Sequence, residues 1–343
     1  MKLEDFSFVI PKELIAFTPS VERSSSKLLV INSELKDLIF SDLPSLLKPK
    51  DVLVINDTSV IKARIFGKKE TGAKVEILIE RIIDKEKSLV QTKSNAKLRE
   101  GDKIYISESK EFLFLSKKQE ELWLAHSSQP PKRIIDKFGL VPLPPYINRE
   151  ANSLDSQRYQ TVYADPLKDA SVAAPTAGLH FDNKLLNSVI NNGIKVAKIT
   201  LHIGMGTFKP IKSKTITDHK MHKETIELKQ ETVDLINHSK KEGGRVICVG
   251  TTTLRCLESV SKNNNGVLRP YSGETDIFIY PGFQFNVADA LITNFHLPKS
   301  TLLLLVSAFG GYEKIREAYQ YAIRKKYRFY SYGDSMFIKC NSN

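Results

Sequence analysis

The sequence predicts an α/β protein: a main α/β domain with a mixed sheet that carries an inserted small antiparallel β-barrel domain. From about residue 60 to residue 126 every periodic segment is strand-like, which is typical of a small barrel or sandwich. Beyond residue 157 strand-like and helix-like segments alternate, as in parallel or mixed sheets. We therefore expect a discontinuous α/β domain over residues 1–59 and 150–343, and an inserted six-stranded barrel over residues 60–149.

The first half of the chain is read from short apolar runs separated by charged turns. Lys27–Asn32 and Lys36–Ser41 form a predicted hairpin, and Asp51–Asp57 is a predicted buried strand. Six further segments are rich in β-branched or aromatic residues and supply the barrel strands: Val60–Phe66, Lys74–Arg81, Ser88–Thr92, Lys103–Ser107, Glu111–Leu115 and Glu121–Ala125. Pro131–Phe138 is predicted to be a short helix after the barrel.

The second half alternates between the two periods. Asp182 is a good N-cap for a helix over Lys184–Asn192, and Gly193 ends it. The predicted strands are Ile194–Ile203, Arg245–Val249, Asp276–Tyr280 and Ser335–Lys339. The predicted helices are Gln230–Lys241, Thr252–Lys262, Ser300–Phe309 and Tyr312–Lys325.

Composition excludes several classes of protein. The 343 residues are 41% hydrophobic and 26% charged, as in ordinary globular proteins. The three cysteines lack C-x-x-C spacing, which argues against a disulfide scaffold and a cysteine zinc site. The N-terminus does not resemble a signal peptide, and Leu302–Val306 is too short an apolar run to span a bilayer. We expect a cytoplasmic protein, and take a monomer as the default because the sequence leaves the oligomeric state open.

The net charge of +12 favours a polyanionic partner, with nucleic acid as the leading candidate. A lysine-rich genome composition is the alternative explanation, since asparagine and isoleucine are frequent as well. Two basic clusters are candidates for contacts to nucleic-acid phosphates. The first lies in the early barrel strands and consists of Lys62, Arg64, Lys68, Lys69 and Lys74. The second alternates basic with aromatic residues near the C-terminus and contains Arg324, Lys325, Lys326 and Arg328.

The uncharged stretch Ser171–Phe181 is a candidate site loop. Its small residues allow close approach of a ligand to the backbone, and Gly178 can adopt a positive φ without steric cost. The loop delivers His180 to the start of the helix capped by Asp182. The alternative is a tight turn whose histidine binds the backbone.

Other polar residues follow predicted strands. His202 ends a strand before the turn Gly204-Met-Gly206, and ligands of α/β sheets bind at the carboxyl ends of strands. A Gly-x-Gly turn without the third glycine and its helix does not indicate a nicotinamide site. Asn294 and His296 follow another predicted strand end.

The strand ending at Val249 is followed by Gly250 and a threonine-rich helix start. Free N–H groups and hydroxyls at this helix end suit an anion or a ribose. Simple N-capping by Thr251 or Thr252 is the structural alternative.

Asp218–Glu224 holds two histidines and two carboxylates within seven residues. His219 and His222 are three residues apart and could share a helix face. Acid–base chemistry, a metal site and a structural role are all open. Metal is the weaker choice because no third ligand follows at a standard spacing.

These motifs together resemble one family, the S-adenosylmethionine:tRNA ribosyltransferase-isomerases of queuosine biosynthesis. The resemblance rests on Ala174–Phe181, Leu201–Phe208, His219–Glu224, Val249–Arg255 and Thr293–Thr301. It extends in order along nearly the whole chain, to Asp5–Phe8, Pro19–Leu29, Asn56–Thr58, Tyr159–Tyr163, Phe278–Gly282 and Tyr332–Asp334. The sequence departs from the family at the longer loop Asp165–Ala170, which lacks a Pro-Gly turn, and at Lys223, where serine is frequent.

The resemblance implies transfer and isomerisation of the ribosyl part of S-adenosylmethionine onto 7-aminomethyl-7-deazaguanine at the tRNA wobble position. The implied products are epoxyqueuosine in tRNA, adenine and methionine, with S-adenosylmethionine as a consumed cosubstrate. We expect no metal, because no cysteine pair or recognised zinc spacing accompanies the histidines. An S-adenosylmethionine-dependent tRNA methyltransferase and a non-catalytic tRNA-binding protein are the alternatives.

The residues in the matching motifs are assigned as site candidates. The candidate catalytic residues are His180, His202, His219, His222, Glu224 and His296. The candidate substrate-binding residues are Thr176, Gly178, Gly204, Gly206, Thr207, Gly250, Thr251, Thr252, Arg255 and Asn294.

Overall fold

A computed structural model describes residues 1–106, 109–119, 121–208, 211, 213 and 215–341, with the backbone alone for Met205 and Phe208. The chain forms two compact units. The first comprises Met1–Thr58, Gln160–Lys168 and Ala174–Asn343, and the second comprises Ser59–Tyr159 and Asp169–Ala173. A large mixed sheet and a closed antiparallel barrel confirm the predicted fold class. The domain boundaries that the sequence predicts, at residues 59/60 and 149/150, stay a prediction.

The regular elements follow the apolar pattern of the sequence. The strands are β1 Lys27–Ile31, β2 Leu35–Ile39, β3 Val52–Asn56, β4 Ser59–Val60, β5 Arg64–Lys69, β6 Lys74–Ile82, β7 Lys87–Ser94, β8 Lys103–Ile106, β9 Phe112–Gln119, β10 Leu122–Ser127, β11 Asp169–Ser171, β12 Lys195–Leu201, β13 Glu224–Leu228, β14 Val246–Val249, β15 Tyr271–Thr275, β16 Ala290–Asn294 and β17 Ser335–Lys339. The helices are α1 Pro131–Phe138, α2 Ser153–Arg158, α3 Asn183–Asn191, α4 Gln230–Lys241, α5 Thr251–Asn263, α6 Thr301–Gly310 and α7 Tyr312–Arg324.

The first unit is built on a nine-stranded sheet in the order β15-β13-β12-β3-β14-β16-β17-β1-β2. Its centre is parallel, because β12 and β14 flank β3 in parallel and β14 pairs in parallel with β16. β17 runs antiparallel to β16 and parallel to β1. β3, β14 and β16 are buried along their whole length, as expected of a sheet covered on both faces. The carboxyl ends of four parallel strands and the amino ends of β1 and β17 therefore share one edge, here called the carboxyl edge.

The second unit contains a closed six-stranded barrel in the order β10-β7-β6-β5-β8-β9. Its strands alternate between buried and accessible side chains, as a barrel filled by its own residues requires. Ile65, Ile77, Ile104 and Leu113 are among the fully buried residues. β4 and β11 form a separate parallel pair in the same unit.

The structure corrects several predicted elements. Val60–Phe66 is not one strand, because the Ala63 N–H turns back to the carbonyl of Ile61 and β5 begins only at Arg64. Asp276–Tyr280 is not a strand. The strand lies earlier, where β15 pairs with β13, and it ends where the Thr275 hydroxyl accepts the Ile277 N–H.

Several short elements were not predicted, among them β4, β11, β13 and α2. The helix α2 lacks the long apolar period that marks a helix in a sequence. Ser107, the predicted last residue of a barrel strand, lies outside the described residues.

None of the helices in the described part of the chain combines the length and apolarity needed to cross a bilayer.

Candidate active site

The carboxyl edge of the first unit gathers most of the predicted polar residues. His202 follows β12, Gly250 follows β14, and His296 lies two residues after β16. The predicted loop is a 3-10 turn over Thr176–His180, and Ala177 lies next to Gly250. Strand order therefore brings residues from distant parts of the sequence to this edge.

His180 is buried and both of its ring nitrogens are bonded. Nδ1 lies 2.7 Å from the Ser26 hydroxyl, and Nε2 lies 3.1 Å from the amide nitrogen of Asn294. That amide nitrogen also faces the Tyr330 carbonyl, which fixes the orientation of the amide. Nε2 is consequently the acceptor and Nδ1–H donates to Ser26. Burial, with Arg23 and Arg328 nearby, lowers the pKa of His180 to about 3, so the ring is neutral at pH 7.

His296 is similar. Its Nε2 lies 2.9 Å from the Thr293 hydroxyl, and its backbone N–H donates to the Tyr319 hydroxyl. Burial lowers its pKa to about 3. His180 and His296 are therefore neutral groups held in fixed orientations.

Position 178 requires glycine because of close packing and not because of the predicted positive φ. Its φ lies outside the left-handed region, but an added Cβ would fall 2.1 Å from the Tyr163 hydroxyl oxygen. Thr176, at the start of the turn, is half-buried. The small residues here allow close packing of Tyr163 against the turn.

His202 is half-buried, and its Nδ1 lies 2.8 Å from the Thr58 hydroxyl. Asn56 binds both backbone groups of Leu201 and lies 3.4 Å from the Thr252 hydroxyl. The ends of β3 and β12 and the start of α5 are thereby tied together.

Glu224 and Arg255 form a buried ion pair. The second carboxylate oxygen of Glu224 accepts from the Thr207 hydroxyl at 3.1 Å. Arg255 Nε and Nη2 are buried and have no hydrogen-bond partner among the described residues. A buried guanidinium with two unused donors is an unusual arrangement that calls for an acceptor.

The start of α5 differs from the predicted capping. Gly250 is the N-cap, with φ of 91°, and no side chain caps the helix. Thr251 and Thr252 lie inside the first turn. Their hydroxyls therefore do not perform the N-cap role, and the N–H groups of this turn keep their affinity for an anion.

His219 and His222 do not share a helix face, because the described residues before β13 form turns and extended chain. His222 is exposed and its ring packs on Gly206, where an added Cβ would lie 2.3 Å from the ring. His219 packs edge-on against Phe278 at 5.2 Å, and burial followed by the nearby His222 lowers its pKa. Gly204 accepts the N–H of Thr207 at 3.3 Å.

Many of the predicted site residues thus fall into three groups. One contains His180 and Asn294, with Ser26 as a further partner, and is buried. The second contains His202 and Thr252, joined through Thr58 and Asn56. The third runs through Thr207, Glu224 and Arg255, with His222 packed on the same Gly206-Thr207 turn. Ser26, Asn56 and Thr58 were not predicted as site residues, although they lie in Pro19–Leu29 and Asn56–Thr58, two of the segments that carry the family resemblance.

Only some side chains of each basic cluster are exposed to solvent. Lys62, Lys68 and Lys74 are exposed, whereas Arg64 pairs with Glu76 at 3.0 Å and Lys69 with Asp102 at 2.8 Å.

In the C-terminal cluster Arg324, Lys325 and Lys326 are exposed. The Arg328 guanidinium donates to Thr18 and Ser20. Arg328 thus helps to hold the N-terminal segment within the first unit.

Among the residues that the structure describes, no three His, Cys, Asp or Glu side chains are grouped as metal ligands would be.

Comparison with known proteins gives consistent matches over the whole chain. The model of the family described as "Queuosine biosynthesis protein" matches residues 3–338. The S-adenosylmethionine:tRNA ribosyltransferase-isomerase of Nitrosospira multiformis is 46% identical over 353 residues, covering 98% of both chains. That of Coxiella burnetii is 46% identical over 342 residues, again covering 98% of both. The crystal structure of the S-adenosylmethionine tRNA ribosyltransferase of Thermotoga maritima is similar with a TM-score of 0.56 and 29% identity, covering 97% of this chain and 99% of that one.

Proposed function

Because the chain belongs to the queuosine biosynthesis protein family, we propose that it is an S-adenosylmethionine:tRNA ribosyltransferase-isomerase. It transfers and isomerises the ribosyl part of S-adenosylmethionine onto 7-aminomethyl-7-deazaguanine at the wobble position of tRNA. The products are epoxyqueuosine in tRNA, adenine and methionine. Release of adenine and methionine requires that the glycosidic bond and a carbon–sulfur bond both break.

The observation that carries this function is the near-full-length identity of 46% to enzymes of that name. The placement of the matching motifs supports it, since most of them meet at the carboxyl edge. A methyltransferase or a non-catalytic tRNA-binding protein is not favoured by these relatives.

We place the cosubstrate at the start of α5. The unused Nε and Nη2 donors of Arg255 form an edge that suits a planar carboxylate, and the methionyl group supplies one. Gly250, Thr251 and Thr252 offer backbone N–H groups and hydroxyls for the same anion or for the ribose. Thr176, Gly178, Gly204, Gly206, Thr207 and Asn294 complete the proposed substrate-binding set.

The proposed catalytic set divides into two roles. His180 and His296 are neutral and buried, which suits hydrogen bonding and orientation. His202, His219, His222 and Glu224 are the candidates for moving protons. The reaction calls for removal of a proton beside the sulfonium, protonation of the adenine leaving group and a free amine for attack. Neutral imidazoles and their conjugate acids suit both directions of proton transfer near pH 7.

The exposed lysines of both clusters are proposed to contact tRNA phosphates, with a cytoplasmic monomer as the working form. The exposed members are Lys62, Lys68, Lys74, Arg324, Lys325 and Lys326, while Arg64, Lys69 and Arg328 already have protein partners.

The test is an incubation of the purified protein with S-adenosylmethionine and tRNA that carries the precursor base. Adenine and methionine should appear in equal amounts with epoxyqueuosine in the digested tRNA. The same tRNA with guanine at the wobble position is the control and should release neither. S-adenosylhomocysteine without adenine would show a methyltransferase instead.

A further inference from the structure

The turn Asn56–Thr58 closes β3 at the carboxyl edge and has no role in the proposed chemistry so far. Asn56 and Thr58 are fully buried. The Asn56 side-chain carbonyl accepts the N–H groups of Thr58 and Leu201, at 3.2 and 3.0 Å, and its amide donates to the Leu201 carbonyl. Because the buried side-chain amide of Asn56 both donates and accepts hydrogen bonds, it holds the turn in a single conformation.

The Thr58 hydroxyl lies 2.8 Å from His202 Nδ1. Within the described part of the chain this is the one hydrogen bond of the Thr58 hydroxyl. Because leaving the proton of a fully buried hydroxyl unused is costly, it points at Nδ1. The neutral His202 ring then carries its own proton on Nε2.

An ion-pair network holds the middle of the same turn. Lys168 Nζ lies 2.8 Å from the buried Asp57 carboxylate and 2.6 Å from the Thr200 hydroxyl, and Thr200 also donates to Asp57 at 2.8 Å. The Asp57 carbonyl accepts the N–H of Asp165. Lys168 lies in Asp165–Ala170, the loop where this sequence departs from its family, so the loop is fastened to the end of β3.

We propose that Thr58 is a positioning residue that fixes the orientation and tautomer of His202, and that Asn56 and the Lys168–Asp57 ion pair hold Thr58 in place. This role rests on the proposed function, in which His202 faces the cosubstrate.

The test compares Thr58→Val, which removes the hydroxyl at nearly constant volume, with Thr58→Ser, which keeps it. Thr232→Val is the matched control, since the Thr232 hydroxyl is also buried and donates to a backbone carbonyl, that of Lys198, at 2.6 Å. Single-turnover adenine release and its pH profile are measured on all three variants. NMR of the protein labelled with ¹³C-histidine reports the tautomer of His202, and thermal unfolding reports stability.

Thr58→Val should lower the single-turnover rate by about 10–100-fold, change the His202 ring signals and alter the pH profile. Thr58→Ser should restore all three, and Thr232→Val should lose stability without losing rate. A Thr58→Val protein with wild-type rate and unchanged His202 signals would overturn the proposal. So would a lower rate with unchanged signals, or failure of serine to restore them. If wild-type protein releases no adenine, the proposed function fails, while the NMR signals still decide whether Thr58 sets the His202 tautomer.

Discussion

The two edges of the nine-stranded sheet use buried polar groups in opposite ways. At the amino edge Asp51 precedes β3 and Arg245 precedes β14. The Asp51 carboxylate accepts the Lys48 N–H at 2.8 Å, the Arg245 N–H at 3.0 Å, and Arg245 Nη2 at 2.5 Å. Burial would raise the pKa of Asp51, but the hydrogen bonds from Arg245 outweigh it and the pKa is lowered. Asp289, before β16, likewise accepts the N–H of Val246.

At the carboxyl edge, in the part of the chain that the structure describes, two buried residues have polar atoms without a partner. Arg255 pairs with Glu224 through Nη1, and its Nε and Nη2 have no hydrogen-bond partner among the described residues. The side-chain oxygen Oδ1 of Asn294 also lacks a partner among these residues. Since folded proteins rarely leave buried polar groups unpaired, this difference supports the ligand site that we propose at the carboxyl edge.

The strongest test is removal of one arginine from each edge. Arg255→Met and Arg245→Met should each cost about 3–5 kcal/mol in the free energy of unfolding, because each leaves a buried carboxylate unpaired. Arg255→Met should also abolish adenine release, whereas Arg245→Met should keep it at temperatures where the protein is folded. Urea unfolding and single-turnover assays measure the two effects.

Arg255→Lys separates the two functions of this arginine. It keeps a charge for Glu224 but loses the Nε–Nη2 edge, so KM for S-adenosylmethionine should rise by about 10–150-fold with most stability retained. An unchanged KM would show that Arg255 does not bind the methionyl carboxylate.

The next largest effect is expected from the accessible histidines. His202→Ala and His222→Ala should each lower single-turnover rates by about 10²–10⁴-fold if these rings move protons, with little change in melting temperature. His238→Ala is the control, because His238 is exposed on α4. Near-normal turnover in both variants would shift the acid–base role to carboxylates or tyrosines. Loss of activity with chelator and its return with zinc would instead favour a metal site.

A smaller effect concerns acid stability. Burial lowers the pKa of His180 and of His296 to about 3, whereas unfolded histidine titrates near 6.5. Between these values the unfolded state binds more protons, so stability falls as pH decreases below about 6.5, by about 1.4 kcal/mol per pH unit for each ring. His296→Gln should reduce that slope by one proton between pH 6.5 and 5, as measured by urea unfolding. The same slope in His296→Gln and in the wild-type protein would mean that His296 is protonated in the folded protein in this pH range.

The smallest effects are expected for single surface charges. The candidate positions for Lys→Gln or Arg→Gln substitution are Lys62, Lys68, Arg324, Lys325 and Lys326. Every substitution that removes a bond to a tRNA phosphate should flatten the slope of log K against log salt by about 0.7–0.9. Lys241→Gln, an exposed position at the end of α4, is the control. Unchanged tRNA affinity and slope after neutralising both clusters would place the tRNA interface elsewhere.

The sequence was sufficient for the fold class and for most elements, because the period of apolar residues reports directly on helix and strand. Gln230–Lys241 and Ser335–Lys339 were predicted with the bounds observed. The same periodicity could not distinguish Tyr271–Thr275 from Asp276–Tyr280 as the strand, since pairing with β13 decides which segment joins the sheet. Placing His202 and His296 near strand ends followed from the same reasoning.

What each of those residues does was decided by tertiary structure. His180 is bonded to Ser26, 154 positions earlier, and to Asn294, 114 positions later, while Thr58 meets His202 across 144 positions. Such contacts depend on strand order, which local propensity does not encode. Burial then lowers the pKa of His180 and of His296, whereas His222 is exposed, so histidines that look alike in the sequence lie in different environments in the fold.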